Sequence, residues 1–294
     1  MKASSQFLLD SALASSSKKA YDSVWEKYFA FARFHSLPIS LPIPPDQLLW
    51  FFTDIFQKGL SYSSLPPMVS ALSYRHKLAG VEDSTKSFRL QQLLAALKRT
   101  NQAADSRQPL TPVILRALLR QIDRSHWAIY DRCLFRAMFL LAFHFGLRLG
   151  EITDSPHNLA RESVVLAGAT LRLTFNSFKH AVGPPITHEV VSSYSPICPV
   201  AAIKSFLVWR GSSPGPLFLL AGKSVKPYTF NSTLKSLLCQ CNIQERITSH
   251  SFRIGAATWW AQLNYSEARI KQLGRWRSNA FLKYIRGPVA HPAV

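Results

Sequence analysis

Strand character is confined to one stretch of this 294-residue chain. After Glu162, "SVVLAGATLRLTFNSFKHAVGPPITHEVV" is rich in β-branched residues set between glycine and proline turn signals. Elsewhere the apolar residues recur at helical spacing. The expected fold is therefore mostly α with a small antiparallel β-sheet, an α+β chain whose N-terminal part is all-α.

Proline and glycine divide the helical part. "SKKAYDSVWEKYFAFARFH" sets Tyr21, Trp25, Tyr28, Phe29 and Ala32 on one apolar, aromatic face. Pro45 and Asp46 mark the start of a second helix and Gly59 its stop. "SLPPMVSALSYRHKLAG" and "STKSFRLQQLLAALKRT" supply two more. The polar "NQAADSRQPLTP" then has the composition of a linker. The domains expected are residues 1–104, a linker over 105–111, and a second domain over 112–294. Thr111 and Pro112 open the latter with a helix, and a long buried helix follows, ending near Gly146. "CPVAAIKSFLVWRG" returns to helix after the strands, and helices are expected to fill the rest.

Charge narrows the function. Lys and Arg number 35 against 16 Asp and Glu, a formal net charge of +19. From Val190 onward the only acidic residues are Glu245 and Glu267, against thirteen Lys or Arg. Such an excess repels itself in a compact state and points to a polyanionic partner, nucleic acid first. No apolar run reaches the roughly 20 residues of a membrane span, and Arg136, His144 and Arg148 interrupt the most apolar stretch. No membrane partner and no secretory signal are expected. Cys133, Cys198, Cys239 and Cys241 have neither zinc-pair spacing nor the look of a disulfide framework, which suits a reducing compartment.

The residues that could carry chemistry gather late. His250 and Arg253, at i and i+3, share a helix face and could reach one phosphate, or could be an ordinary helix start with a surface arginine. Tyr284 lies in "NAFLKYIR", a short helix that Ser278 can cap and Gly287-Pro288 can stop. It either packs on the core with Phe281 or acts as a nucleophile. The second role needs cations such as Arg275, Lys283 and Arg286 to stabilise its phenolate. Upstream, Glu151 can hold Arg148 in a fixed orientation, either as a structural ion pair or as an arginine aimed at a phosphate. Lys179 sits where the tip of a β-hairpin is expected.

Taken in order, "GLRLGE", the hairpin lysine, "HSFR", "LGRW" and the tyrosine resemble the tyrosine recombinase (phage integrase) family. That family's motif is an arginine with a glutamate three residues on, a lysine, His-x-x-Arg, Gly-His/Trp, and a tyrosine nine residues later. The similarity covers residues 112 to 286, and the helical N-terminal part is similar to the family's core-binding domain. "CPVAAIKSFL" and "LGRWRSNAFLKYIR" look most like integrases of eukaryotic mobile elements, the Crypton and DIRS-like groups.

The resemblance implies a two-domain clamp on double-stranded DNA and a homo-tetramer, a pair of dimers, on synapsed sites. Tyr284 would attack the scissile phosphate to form a 3′-phosphotyrosyl bond, with Arg148 and Arg253 clamping the non-bridging oxygens. His250 would assist in proton transfer, and Lys179 would protonate the departing 5′-oxygen. Glu151 and Trp276 would support the site, while Arg277, Lys283 and Arg286 would bind DNA. No metal, cofactor, ATP or small-molecule substrate is implied, and the eukaryotic likeness implies the nucleus.

There are two departures. Arg275 stands at the His/Trp position with the tryptophan one place later, which leaves open which of the two fills the role. The ten residues after Tyr284 also leave little room for the helix that many relatives exchange between subunits. Three rival readings go with the resemblance. One is a recombinase-derived DNA-binding protein that no longer cleaves. Another takes "SEARIKQLGRWRSNAFLKYIR" as a helix-turn-helix with its second helix in the major groove. The third, a topoisomerase of related chemistry, lacks a large clamp domain.

Overall fold

The computed structural model describes residues 12–100, 106–178 and 183–287. The chain divides into two compact units, Met1–Asp105 and Ser106–Val294.

The described residues of the first unit form α1 (Ser15–Phe34), α2 (Pro45–Gln57), α3 (Leu65–Leu78) and α4 (Phe88–Thr100), with no strand among them. Pro45 occupies the first turn of α2, where its missing N–H costs nothing, and Gly59 takes φ +89° just past the helix end. Tyr28, Phe31, Phe51, Phe52 and Leu72 share one core. Two polar groups cross it fully bonded. Tyr28 donates its hydroxyl to Gln47 Oε1 at 2.7 Å, and burial pushes that phenol up to about 12. His76 Nε2 accepts from the Ile43 amide at 3.0 Å while Nδ1 meets the Leu72 carbonyl at 2.8 Å, so Nδ1 carries the proton.

Within the second unit, the part of the expected linker that is described packs down. The Gln108 amide donates to Arg246 O and the Leu110 amide to Ser251 O, and Leu110 is fully buried. Thr111 caps α5 (Pro112–Arg124) by accepting from the Ile114 amide at 3.3 Å. The buried α6 (Ile129–His144) is central, packed against α5, α8 (Pro199–Arg210) and α10 (Ser249–Gln262). After the short α7 (Leu149–Ile152) comes the sheet: β1 (Val164–Ala167), β2 (Thr170–Phe175) and β3 (Ile186–Val191), antiparallel in that order. α9 (Pro227–Gln240) and α11 (Glu267–Leu273) complete the helices. No described helix is long and apolar enough to cross a membrane.

Three expectations need correction. A hairpin of two-residue strands, β4 (Leu219–Leu220) and β5 (Lys223–Ser224), interrupts the region expected to be all helix. Strands that short carry no periodicity; their signal is the turn, where Ala221 and Gly222 both have positive φ. The helix expected at "NAFLKYIR" is instead a 3-10 segment, Asn279–Tyr284, that ends before the glycine. A helix-turn-helix with a recognition α-helix there is thereby removed.

Candidate active site

Glu151 is the centre of the site. Behind α6 the chain turns through Gly146 at φ +53°, where an added Cβ would meet the Trp260 ring at 3.0 Å. This turn brings Arg148 to the start of α7. The Arg148 amide donates to Glu151 Oε2 at 2.8 Å and its guanidinium to Oε1 at 3.1 Å. From the far end of the unit, Arg275 donates to the same Oε2 at 2.8 Å. One carboxylate, 1 % exposed, thus orients two arginines. Burial alone would raise its pKa. The Arg275 charge, the Arg148 N–H, and the Arg148 and Arg253 charges outweigh that and hold it below the usual carboxylate range.

The "LGRW" turn decides where Arg275 and Trp276 go. α11 ends with the Arg275 amide on Gln272 O and the Trp276 amide on Lys271 O, both at 3.0 Å. Arg275, at φ +53°, holds the left-handed position that usually falls to glycine in such a stop. The turn sends its side chain inward. The guanidinium lies 3.8 Å from the Phe175 ring centre, donates to the carbonyls of Phe145 and Leu273, and is 0 % exposed. Trp276 folds the other way, across Gly274, where an added Cβ would overlap the indole. Its ring lies 4.0 Å from the Arg253 guanidinium and 5.6 Å, at 33°, from the Tyr284 ring.

α10 supplies the remaining groups. The Thr248 amide donates to Ser251 Oγ at 2.9 Å and fixes the helix start, with His250 in the first turn and Arg253 opening the second. Arg253 donates to Gly146 O and Gly274 O, both at 2.5 Å, which ties the ends of α6 and α11 together. Burial, then the like charges of Arg148 and Arg275, pull its pKa well below the ordinary value, while Glu151 and Tyr284 act the other way. The His250 and Tyr284 rings are 5.1 Å apart. Thr258, two turns further along α10, donates to Tyr284 O and accepts from the Arg286 amide, both at 3.1 Å.

Arg148, Glu151, His250, Arg253, Arg275, Trp276 and Tyr284 are therefore brought together. Lys179 lies outside the described residues. Arg277 and Lys283 are exposed, and Arg286 is half-buried beside Thr258. Of the two residues left open for the His/Trp position, Arg275 is the one turned inward. Its fully buried guanidinium is spent on Glu151 and on two carbonyls. Thr258, Phe175 and His188 escaped the sequence reading. His188, opposite Leu173 in the sheet, is buried beside the Phe175 ring, and burial, then the charges of Arg275 and Arg269, hold it at about 4. No local pattern marks any of the three, because each acts on a partner far along the chain. Among the described residues, no group of three His, Cys, Asp or Glu side chains gathers that could hold a metal ion.

No family model matches the sequence, and no curated protein matches it. Solved structures do match in fold. The chain resembles the Tn1549 transposon integrase in complex with transposon right end DNA at TM-score 0.66 and 13 % identity, over 97 % of this chain and 94 % of that one. It resembles a lambda integrase dimer bound to a COC' core site at TM-score 0.66 and 14 % identity, over 98 % and 77 %. A pre-cleavage complex of the XerH site-specific recombinase on difH gives TM-score 0.59 and 14 % identity, over 90 % and 73 %. At such identities the likeness is one of fold.

Proposed function

We propose that this chain is a tyrosine recombinase: an enzyme that cuts and rejoins double-stranded DNA at specific sites through a 3′-phosphotyrosyl intermediate. The observation that carries this reading is the packing of Tyr284 against His250, on the same helix as Arg253, with Arg148 held beside them by Glu151. In this reading the Tyr284 oxygen attacks phosphorus and its proton passes to His250. The bond from phosphorus to the 5′-oxygen breaks, and Lys179 protonates the oxygen that leaves. Arg148 and Arg253 stabilise the charge that concentrates on the pentacoordinate phosphorane, and cations fixed beforehand do so without reorganising. The phosphotyrosyl bond keeps the energy of the broken one, so strands can be exchanged without ATP. Trp276, which touches both Arg253 and Tyr284, fills the His/Trp role, and Arg275 acts from beneath as the strut of Glu151. Arg277, Lys283 and Arg286 contact the DNA backbone.

The solved structures of similar fold are integrases and a recombinase held with DNA, which supports the choice of substrate. We further read the chain as the integrase of a eukaryotic mobile element of the Crypton or DIRS-like kind. It would work in the nucleus as a tetramer on paired sites, with residues 1–104 as the core-binding half of a DNA clamp.

One observation favours a second reading. Arg253 is 1 % exposed and lies under the Trp276 ring, as suits a domain that grips DNA without cleaving it. Covalent trapping separates the two. The protein is incubated with nicked duplexes from a randomised pool, denatured, and examined for protein-linked DNA beside Tyr284→Phe. An adduct in the parent protein alone is expected. DNA binding with no adduct, from a pool shown to contain bound sites, selects the non-cleaving reading.

A further inference from the structure

We propose that Thr258 is a positioning residue that sets the height of Tyr284 above His250 and Arg253. A threonine hydroxyl has one proton and two lone pairs. Inside a helix it commonly bonds back to a carbonyl of its own preceding turn. The Thr258 hydroxyl is turned instead toward the C-terminal segment, where its proton goes to Tyr284 O and a lone pair takes the Arg286 amide. The side chain is buried, and both bonds close at 3.1 Å.

These two bonds bracket the tyrosine. The 3-10 segment stops at Tyr284, and Ile285 is extended at φ −73° and ψ 115°. A chain leaving a helical turn in this way strands a carbonyl and an amide, and Thr258 satisfies both. Phe281 anchors the other end of the segment in a small cluster with Ala256, Ala257, Trp260 and Ile270. The backbone on either side of the phenol is thus tied to α10, the helix whose first two turns carry His250 and Arg253. Nucleophile and cation are referenced to one rigid rod. Ring contacts with His250 and Trp276 then set the phenol's tilt. The catalytic consequence rests on the recombinase reading; the backbone clamp does not.

The test compares Thr258→Val, which keeps the shape and loses the hydroxyl, with Thr258→Ser, which keeps the hydroxyl. Three quantities are read: the rate of adduct formation at saturating DNA, the affinity for DNA, and hydrogen exchange at the Arg286 amide. Thr258→Val is expected to slow adduct formation by about 100-fold, the scale of a 1 Å misplacement. It should leave affinity unchanged and speed Arg286 exchange, and Thr258→Ser should restore both rate and protection. A Val variant as fast as the parent, or a Ser variant as slow as Val, overturns the positioning role. If the parent protein forms no adduct, the recombinase reading falls and exchange alone decides the clamp. Equal Arg286 exchange in parent, Ser and Val proteins then overturns it. Should Val fail to fold, Thr258→Ala is read against Ser in the same three measurements.

Discussion

The first turn of α10 and the 279–284 segment face one another in the same site, yet they are built differently. Phe252 and Ile254 beside Arg253 are fully buried, and Phe252 packs against Phe139 and Phe230 with ring centres 5.3 and 5.8 Å away. The cationic groups therefore stand on the main core. The tyrosine segment buries only Phe281. Its further ties include the Ser278 hydroxyl, which accepts from the Ala280 amide, Thr258, Lys271 Nζ donating to Asn279 Oδ1 at 3.5 Å, and the ring contacts of Tyr284 with His250 and Trp276. The cations are built into the interior, whereas Tyr284, proposed above as the nucleophile, sits on a segment held by fewer contacts. Damage to the first region should show in stability, and damage to the second in chemistry.

The largest effect is expected at Glu151. Glu151→Ala leaves the buried Arg275 without its counter-ion, a class of change that costs about 3–5 kcal/mol, and equilibrium denaturation reads it directly. A loss below about 1 kcal/mol would mean that the ion pair does not hold the cationic half together. Acid comes next. His188 and His144 are both kept near 4 chiefly by burial, against an ordinary value of 6.5. Above pH 6.5 they are neutral folded or unfolded and contribute no pH dependence. As pH falls from 6.5 toward 4 only the unfolded chain takes up the protons, so stability drops, by about 3 kcal/mol per histidine at most. Melting temperature should fall between pH 7 and pH 5, and less steeply in His188→Leu. An identical slope in that variant would remove His188 from the account.

Gly255→Ala should cost about 1–3 kcal/mol, because the new Cβ would overlap the Leu110 carbonyl where the chain entering the second unit crosses α10. Thermal unfolding at neutral pH checks this, and an unchanged midpoint would show that the crossing segment can give way. The smallest effect on stability belongs to Tyr284→Phe, within about 0.5 kcal/mol, although every adduct should be lost. Should the Phe variant melt far below the parent, the contrast between a rigid cationic half and a lightly held tyrosine breaks down.

Much of this was legible from residues alone. Pro45, Thr111-Pro112 and Gly59 mark helix boundaries because proline and glycine act on their own backbone. The strands after Glu162 were visible through β-branched composition. The pairing of Arg148 with Glu151 was visible because three residues of helix leave little choice of neighbour. The order of Arg275 and Trp276 was not. Spacing set Arg275 nine residues before Tyr284, and only the left-handed backbone at Arg275 turned it inward and left Trp276 against the phenol.

The sequence by itself determined most of the elements, most of their ends and the stock of cations beside one tyrosine, since those follow from local sterics and composition. Tertiary structure alone decided that Glu151 joins Arg148 to an arginine 124 residues away, and that Thr258 ties down both sides of Tyr284. Such bonds depend on how whole helices pack, and no short window of sequence carries that information.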